Sequence, residues 1–158
     1  MTVTRAIPAD APAVLALYSS VKGRPGCLWD EDYPRPDNIE YDLAHDGLYL
    51  LKDGGALIGA ASVVYEAQLD EFPFWTPTDL PVVELARIVI APDHQGQGLA
   101  KVMLRQVFAQ LDGVGAVRLL AGPGNPAAWK TYSALGFRRV GQCFKYGHDY
   151  LAMELLLA

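Results

Sequence analysis

Cysteine is scarce in this chain, and its two cysteines, Cys27 and Cys143, lie far apart in the sequence and form no C-x-x-C pair. Small disulfide-held domains and cysteine-ligated metal sites both need closely patterned cysteines. We therefore expect two free thiols and no metal site.

A long apolar run is also missing. No segment approaches the roughly 20 apolar residues that a membrane-spanning helix requires. The first ten residues, MTVTRAIPAD, are polar and lack the apolar centre of a signal peptide. We expect a cytoplasmic protein with no membrane partner.

Positive charge is in deficit. The chain has 13 Lys and Arg against 18 Asp and Glu, a formal net charge of −5, and no basic stripe. Proteins that bind nucleic acid carry clustered positive charge. The composition therefore disfavours a nucleic-acid partner, and it is compatible with a cationic or neutral acceptor such as an amine.

What the chain does have is apolar content that alternates with turn residues. Its 158 residues are 51% hydrophobic and 20% charged, which predicts one globular domain over residues 1–158. The patterns predict strands over 2–6, 48–51, 56–65, 82–90, 116–120, 138–144 and 150–156. They predict helices after Asp10, over 38–44, over 99–111 and after Asn125. The segment 66–81 is predicted to be a loop.

The most informative segment is residues 87–100, RIVIAPDHQGQGLA, which runs from an apolar strand through a turn into a helix. Gly96 and Gly98 permit backbone angles and ligand approach that a Cβ would block. The first amides of the following helix have no intrahelical partners, and they suit a phosphate or pyrophosphate. The segment therefore predicts a phosphate-containing cofactor.

Spacing separates the known phosphate motifs. A P-loop would need Lys and Ser or Thr after its last glycine, whereas Leu99 and Ala100 follow Gly98. A dinucleotide-binding fingerprint would need a small residue at position 101, which is Lys101, and an early place in a βαβ unit. The segment 95–100 closely resembles a third motif, Q/R-x-x-G-x-G/A, the pyrophosphate loop of the GNAT family of N-acetyltransferases. Gln95 stands where that family usually has arginine.

A second segment, residues 125–137 with the sequence NPAAWKTYSALGF, resembles the N-x-x-A-x-x-x-Y-x-x-L-G-F signature that lies near the acetyl group in the same family. These residues also predict a helix without the resemblance, because Asn125 is a good N-cap, Pro126 suits the first helical position and Gly136 suits the end of a helix. From periodicity alone Tyr132 is a core aromatic residue.

The resemblance spans nearly the whole chain and implies a fold, an activity and a set of residues. The fold is α/β (α+β), with a mixed central sheet of about seven strands and helices on both faces. The activity is acetyl transfer from acetyl-CoA (coenzyme A) to an amine of a small molecule or peptide. The cofactor-binding residues are the strand backbone at Ile88, Val89 and Ile90, the loop of Gln95, Gly96, Gln97, Gly98, Leu99 and Ala100, and the pair Asn125 and Tyr132.

Two residues are candidates for proton transfer. Tyr132 is the candidate acid for the departing thiolate, since a phenol of ordinary pKa near 10 can donate a proton. Glu84 is the candidate base, because its apolar neighbours in the strand would raise the pKa of its carboxyl group. Alternatively, Glu84 faces solvent or pairs with Arg87, and Asn125 is solely a helix cap.

Acceptor specificity is expected from the irregular segments 26–36 and 66–80, which combine aromatic residues with carboxylates. Trp29, Tyr33 and Trp75 are the candidates, because aromatic faces bind cationic amines. The same composition describes a lid or a homodimer surface. An alternative function is an acyl-CoA-binding sensor of the same fold, which the absence of an assured base and the glutamine at position 95 allow.

Overall fold

The computed structural model describes residues 1–157, which form a seven-stranded mixed sheet with four α-helices. The strands are β1 (Thr2–Arg5), β2 (Leu48–Asp53), β3 (Ala56–Val64), β4 (Val82–Ile90), β5 (Ala116–Ala121), β6 (Arg138–Lys145) and β7 (His148–Leu156). The helices are α1 (Ala11–Val21), α2 (Pro36–Ala44), α3 (Leu99–Ala109) and α4 (Pro126–Ala134). Short 3-10 turns cover Pro8–Asp10, Ala67–Glu71 and Pro92–His94.

The strand order is β1-β2-β3-β4-β5-β7-β6. The pairs β1–β2, β2–β3, β5–β7 and β6–β7 are antiparallel, whereas β4 and β5 run parallel. Val82, Val83 and Glu84 of β4 lie opposite Ala116, Val117 and Arg118 of β5. The predicted mixed sheet is confirmed, and β4 has the bounds that its apolar pattern predicts.

The chain divides into two compact units, the first comprising residues 1–63 and 87–110 and the second comprising residues 64–86 and the chain from Leu111 onward. Strand β4 contributes its first residues to the second unit and its last four to the first. The expectation of a single domain stays a prediction.

The first unit has an apolar core between α1, α2 and the sheet. Its fully buried members include Val14, Tyr18, Ile39, Leu50 and Ala60. Helix α3 contacts the edge strand β1, where the Gln106 side chain accepts a hydrogen bond from the Val3 amide at 3.0 Å and Gln110 donates to the Val3 carbonyl at 3.3 Å. These bonds satisfy backbone groups that an edge strand would otherwise expose.

The second unit has a smaller core around Leu69, Trp75 and Ala152, against which Phe72, Phe74, Leu120 and Val140 pack. Glu154 of β7 is 1% exposed, and its carboxylate accepts hydrogen bonds from the Thr76 amide (3.0 Å) and the Thr76 hydroxyl. The segment between β3 and β4 is therefore anchored to β7. Within residues 1–157, none of the helices is both long enough and apolar enough to cross a membrane.

Candidate functional site

The turn after β4 is braced from inside the first unit. The Ala91 amide donates to the Ile58 carbonyl at 2.8 Å, which fixes the end of β4 against β3. The Gln95 side-chain amide donates to the Ile90 carbonyl at 3.0 Å. The donor that the sequence offers for a phosphate is thus used, in this structure, to hold the loop in shape.

The glycines of the loop leave open space at the start of α3. Gly96 has φ +77° and Gly98 has φ +74°, both in the left-handed region that favours glycine. A Cβ on either residue would have no protein atom within 4 Å, so the space beside them is open. Gly98 is the N-cap of α3, and the free amides of the first helical turn follow it. Open space beside free helix-terminal amides suits a pyrophosphate group.

The neighbouring predicted residues divide between core and surface. Val89, Ile90 and Leu99 are 4%, 9% and 7% exposed, so their side chains anchor the end of the strand and the start of the helix. Ile88 and Ala100 are half-buried, and Gln97 is exposed. The structure therefore brings the residues 88–90 and 95–100 together in the first unit, and their role in cofactor binding stays a prediction.

Asn125 precedes α4 as its N-cap and Tyr132 lies on α4, both in the second unit. The Asn125 side-chain oxygen accepts a hydrogen bond from the Ala128 amide at 3.2 Å, so its predicted capping role is confirmed. Tyr132 packs edge-to-face on Phe137 with ring centroids 5.8 Å apart. All residues of α4 are half-buried or exposed, so Tyr132 is half-buried and not the fully buried core residue that periodicity alone predicts.

Desolvation by burial raises the pKa of Tyr132 above its ordinary value of 10.0. The phenol therefore keeps its proton at neutral pH. Because a thiol has a pKa near 8.5, full proton transfer from an unperturbed tyrosine to a thiolate is already uphill by about 2 kcal/mol, and the raised pKa increases that cost. The hydroxyl is better suited to donate a hydrogen bond to a leaving sulfur than to surrender its proton early.

The candidate base Glu84 is half-buried in β4 and lies opposite Arg118 of β5. The sequence also allows an ion pair between Glu84 and Arg87, but the Arg87 guanidinium group is bonded to another carboxylate. Arg87 binds Asp42 of α2 with both ends of its fork, from Nε to Oδ2 at 3.0 Å and from Nη2 to Oδ1 at 2.7 Å. The assignment of Glu84 as base stays a prediction.

Asp42 belongs to a buried polar cluster that sequence reasoning missed. Its side chain is 0% exposed, and it also accepts a hydrogen bond from the hydroxyl of Ser62, which is fully buried. Arg87 reaches outward as well, donating from Nη1 to the Tyr33 hydroxyl at 3.0 Å. Burial is the largest single influence on the pKa of Arg87 and lowers it, but the hydrogen bonds that Arg87 donates to Asp42 and Tyr33, together with the charges of those two groups, raise it by more, and the pKa is raised overall. Arg87 therefore keeps its positive charge beside the Asp42 carboxylate.

The three predicted acceptor-binding aromatics have different surroundings. Tyr33 is 38% exposed and bonded to Arg87. Trp29 is half-buried and packs edge-to-face on Tyr18 at 5.3 Å. Trp75 is 7% exposed, donates to the Leu69 carbonyl at 2.8 Å and carries the Arg118 guanidinium 5.1 Å from its ring centre. Tyr33 is the most exposed of the three, and the role of all three in acceptor binding stays a prediction.

Both cysteines are free, as predicted. Burial raises the pKa of the Cys143 thiol, which makes it a poor nucleophile. Among residues 1–157, no three histidine, cysteine, aspartate or glutamate side chains converge on a point that could hold a metal ion.

Comparison with known proteins identifies the family of this chain. The model of the acetyltransferase (GNAT) family matches residues 14–137, which include β4, the loop and α4. The chain belongs to the GNAT family. This confirms the resemblance that the two sequence motifs carry.

The relatives found include both curated and solved proteins. The chain is 42% identical over 116 residues to N-acetylaspartate synthetase of Danio rerio, covering 68% of this chain and 39% of that protein. It superposes on a GNAT-family acetyltransferase from Streptococcus agalactiae with a TM-score of 0.85 at 19% identity, covering 99% of this chain and 95% of that one. A putative acetyltransferase from Salmonella typhimurium, solved with acetyl-CoA, gives a TM-score of 0.78 at 23% identity, with coverage of 100% and 94%. The chain spans less than half the length of the curated relatives it matches first.

Proposed function

We propose that this chain is an N-acetyltransferase that moves an acetyl group from acetyl-CoA to a primary amine of a small molecule or peptide. The amine nitrogen attacks the thioester carbonyl directly while both substrates are bound, so that the C–N bond forms, the C–S bond breaks and coenzyme A leaves as its thiolate. The observation that carries the proposal is the loop at the start of α3, where Gly96 and Gly98 have left-handed backbone angles beside open space. Family membership and the acetyl-CoA found with the Salmonella relative support it.

The loop of residues 95–100 binds the pyrophosphate through its backbone amides and the positive end of the α3 dipole. The backbone of Ile88, Val89 and Ile90 lies along the pantetheine arm and hydrogen-bonds to its amides, as a strand edge does with an extended ligand. Bound acetyl-CoA supplies a thioester, an acetyl group already activated for transfer.

Glu84 and Tyr132 have different roles in the reaction. Glu84 accepts a proton from the amine, and Tyr132 keeps its proton and donates a hydrogen bond to the sulfur as negative charge develops there. The raised pKa of Tyr132 fits this role, because the hydroxyl is always protonated when it is needed.

The test is a kinetic comparison of Tyr132→Phe with the unaltered protein on a panel of primary amines. Loss of one hydrogen-bond donor to a developing negative charge typically costs 10²- to 10³-fold, so we expect kcat to fall about 100-fold while the Kd for acetyl-CoA changes less than about threefold. Tyr65→Phe is the control, since Tyr65 is 52% exposed and binds only Asp70 among the bonds described. An equal loss of kcat and of cofactor affinity in Tyr132→Phe would show that Tyr132 does not stabilise the leaving sulfur.

An acyl-CoA-binding sensor of the same fold is the second candidate. The observation in its favour is that the Gln95 amide, which replaces the family's usual arginine, is already bonded to the Ile90 carbonyl. A sensor would bind acetyl-CoA and show only background transfer across the whole amine panel. Turnover with any one amine above the uncatalysed rate would exclude it.

A further inference from the structure

Arg87 has a backbone conformation that its residue type rarely adopts. It lies inside β4 with φ +49°, in the left-handed region that costs a residue with a Cβ free energy relative to an extended strand. The burial pattern of the strand changes there: Leu85 is buried before it, and the adjacent residues Val89 and Ile90 are both buried after it. Such a break in alternation is typical of a bulge, which redirects the rest of a strand.

The side chain of Arg87 is held by groups from three other segments. Asp42 of α2 takes two of its donors, Ser62 of β3 donates to the same carboxylate, and Tyr33 from the loop before α2 accepts a third donor. The Arg87 side chain is 10% exposed and that of Asp42 is 0% exposed. A two-point fork fixes the plane of the guanidinium group as well as its position.

A buried ion pair is expensive to assemble, because both charges lose their hydration. Hydrophobic residues of similar size would fill the same space at least as stably, so the pair is weak evidence for stability as such. Its geometry does provide a tether on a residue whose backbone is otherwise unfavourable. Since Asp42 neutralises the charge of Arg87, the tether explains the pair better than recognition of an anion does.

We propose that Arg87, Asp42 and Ser62 form a positioning cluster that holds residue 87 left-handed and so presents the backbone of Ile88–Ile90 to the cofactor arm. The inference rests on the proposed function. It assigns Arg87 and Asp42 to positioning: both act through the β4 backbone, and neither touches the reacting atoms.

Glycine and alanine at position 87 separate backbone conformation from side-chain contacts. In an Asp42→Asn background, which leaves no stranded carboxylate, we compare Arg87→Gly with Arg87→Ala. Glycine adopts positive φ readily, whereas alanine relaxes to an extended conformation and reduces the population competent to bind. We expect the Kd for acetyl-CoA, measured by calorimetry, to be about 5- to 30-fold higher in the alanine double variant than in the glycine one. Equal Kd values in the two double variants would overturn the proposal.

A single variant covers the case in which neither double variant folds. Arg87→Lys keeps the charge beside Asp42 and loses the fork, so we expect its Kd for acetyl-CoA to rise about threefold or more with the fold intact. A Kd equal to that of the unaltered protein would contradict the proposal. Lys52→Ala is the matched control, because it removes an exposed ion pair of the same unit, 3.7 Å from Asp10, and should leave the Kd unchanged.

A readout without ligand separates this inference from the proposed function. If the unaltered protein fails to bind acetyl-CoA, the proposed function fails. Amide hydrogen exchange at Ile88, Val89 and Ile90 still tests the cluster. We expect exchange about tenfold faster in the alanine double variant than in the glycine one, and equal exchange rates would count against the cluster's role.

Discussion

Two arginines on neighbouring strands of the sheet make ion pairs of the same length in different surroundings. Arg87 of β4 reaches Asp42 and Arg118 of β5 reaches Asp70, each at 2.7 Å. The arginine side chains are similarly covered, at 10% and 12% exposed, but Asp42 is 0% exposed and Asp70 is 46% exposed. Judged by the nitrogen–oxygen distance alone, the two ion pairs would be expected to contribute equally to stability.

Burial decides what each pair can do. Water screens an exposed carboxylate, so its ion pair contributes little and can break and re-form at small cost. An enclosed carboxylate must keep every partner, because an uncompensated buried charge is severely destabilising. The Arg87–Asp42 pair can therefore fix the conformation of its strand, whereas the Arg118–Asp70 pair lies at the surface and constrains its strand little.

The largest contrast is expected from removing the buried acid. Asp42→Ala leaves Arg87 and Ser62 without their shared partner, and breaking such a pair typically costs 3–5 kcal/mol. We expect the free energy of unfolding, from urea titration followed by circular dichroism, to fall by about 3–5 kcal/mol. A loss below about 1 kcal/mol, no larger than that of Asp70→Ala, would abolish the distinction between the two pairs.

A smaller effect is expected from Arg118→Ala. Arg118 covers the face of Trp75, and a cation over a partly desolvated aromatic ring is worth about 0.5–2 kcal/mol. We expect a loss of about 1–2 kcal/mol together with a change in tryptophan fluorescence, since Trp75 becomes more exposed. Matched loss in Asp70→Asn would show that the ion pair, and not the ring contact, accounts for the effect.

Asp70→Asn itself should cost less than about 1 kcal/mol, because Asp70 is nearly half exposed. High salt gives a second test, because the Debye length falls to about 3 Å at 1 M ionic strength and exposed charges then interact only weakly. The difference in urea midpoint between Asp70→Asn and the unaltered protein should shrink in 1 M NaCl. If salt leaves the difference unchanged, Asp70 is not acting as an exposed charge.

The smallest expected effect is on acid stability. The Tyr65 hydroxyl, which donates to Asp70 at 2.5 Å, lowers the pKa of the Asp70 carboxyl below its usual value of 3.8, and Arg118 lowers it further. A carboxyl group whose pKa is lower in the folded state contributes stability above its unfolded pKa and loses it as the pH falls through the folded pKa. Between about pH 5 and pH 2, urea midpoints should therefore fall slightly less steeply for Asp70→Asn than for the unaltered protein. Parallel curves would show that Asp70 does not contribute.

The sequence predicts well where local pattern and local chemistry agree. The apolar residues of 82–90 predict strand β4. Gly96 and Gly98 predict the turn into α3, because they readily adopt the left-handed backbone angles that they have in the structure. Asn125 as the cap of α4 follows from its position before Pro126. Each of these features depends on residues close together in the chain.

The sequence fails where a partner from a distant segment decides the outcome. Nothing in the sequence singles out Asp42 on the polar helix α2, and its burial depends on Arg87, 45 residues away, and on Ser62. Trp75 reads as a loop aromatic available to a ligand, but Leu69 and Arg118 enclose it. The anchoring of Thr76 by Glu154 spans 78 residues. No periodicity signals such pairs.

The most direct test of the central claim is thermal unfolding of the full chain with saturating acetyl-CoA, with NAD and ATP as controls and Gly98→Ala as the matched variant. Ligand at about 100 times its Kd adds about 2.7 kcal/mol, a clear rise in Tm. We predict that acetyl-CoA alone raises the Tm, and that Gly98→Ala, which places a methyl group in the open space at the start of α3, loses most of that rise. No rise with acetyl-CoA, or an equal rise with NAD or ATP, would contradict the assignment of this loop to an acetyl-CoA pyrophosphate.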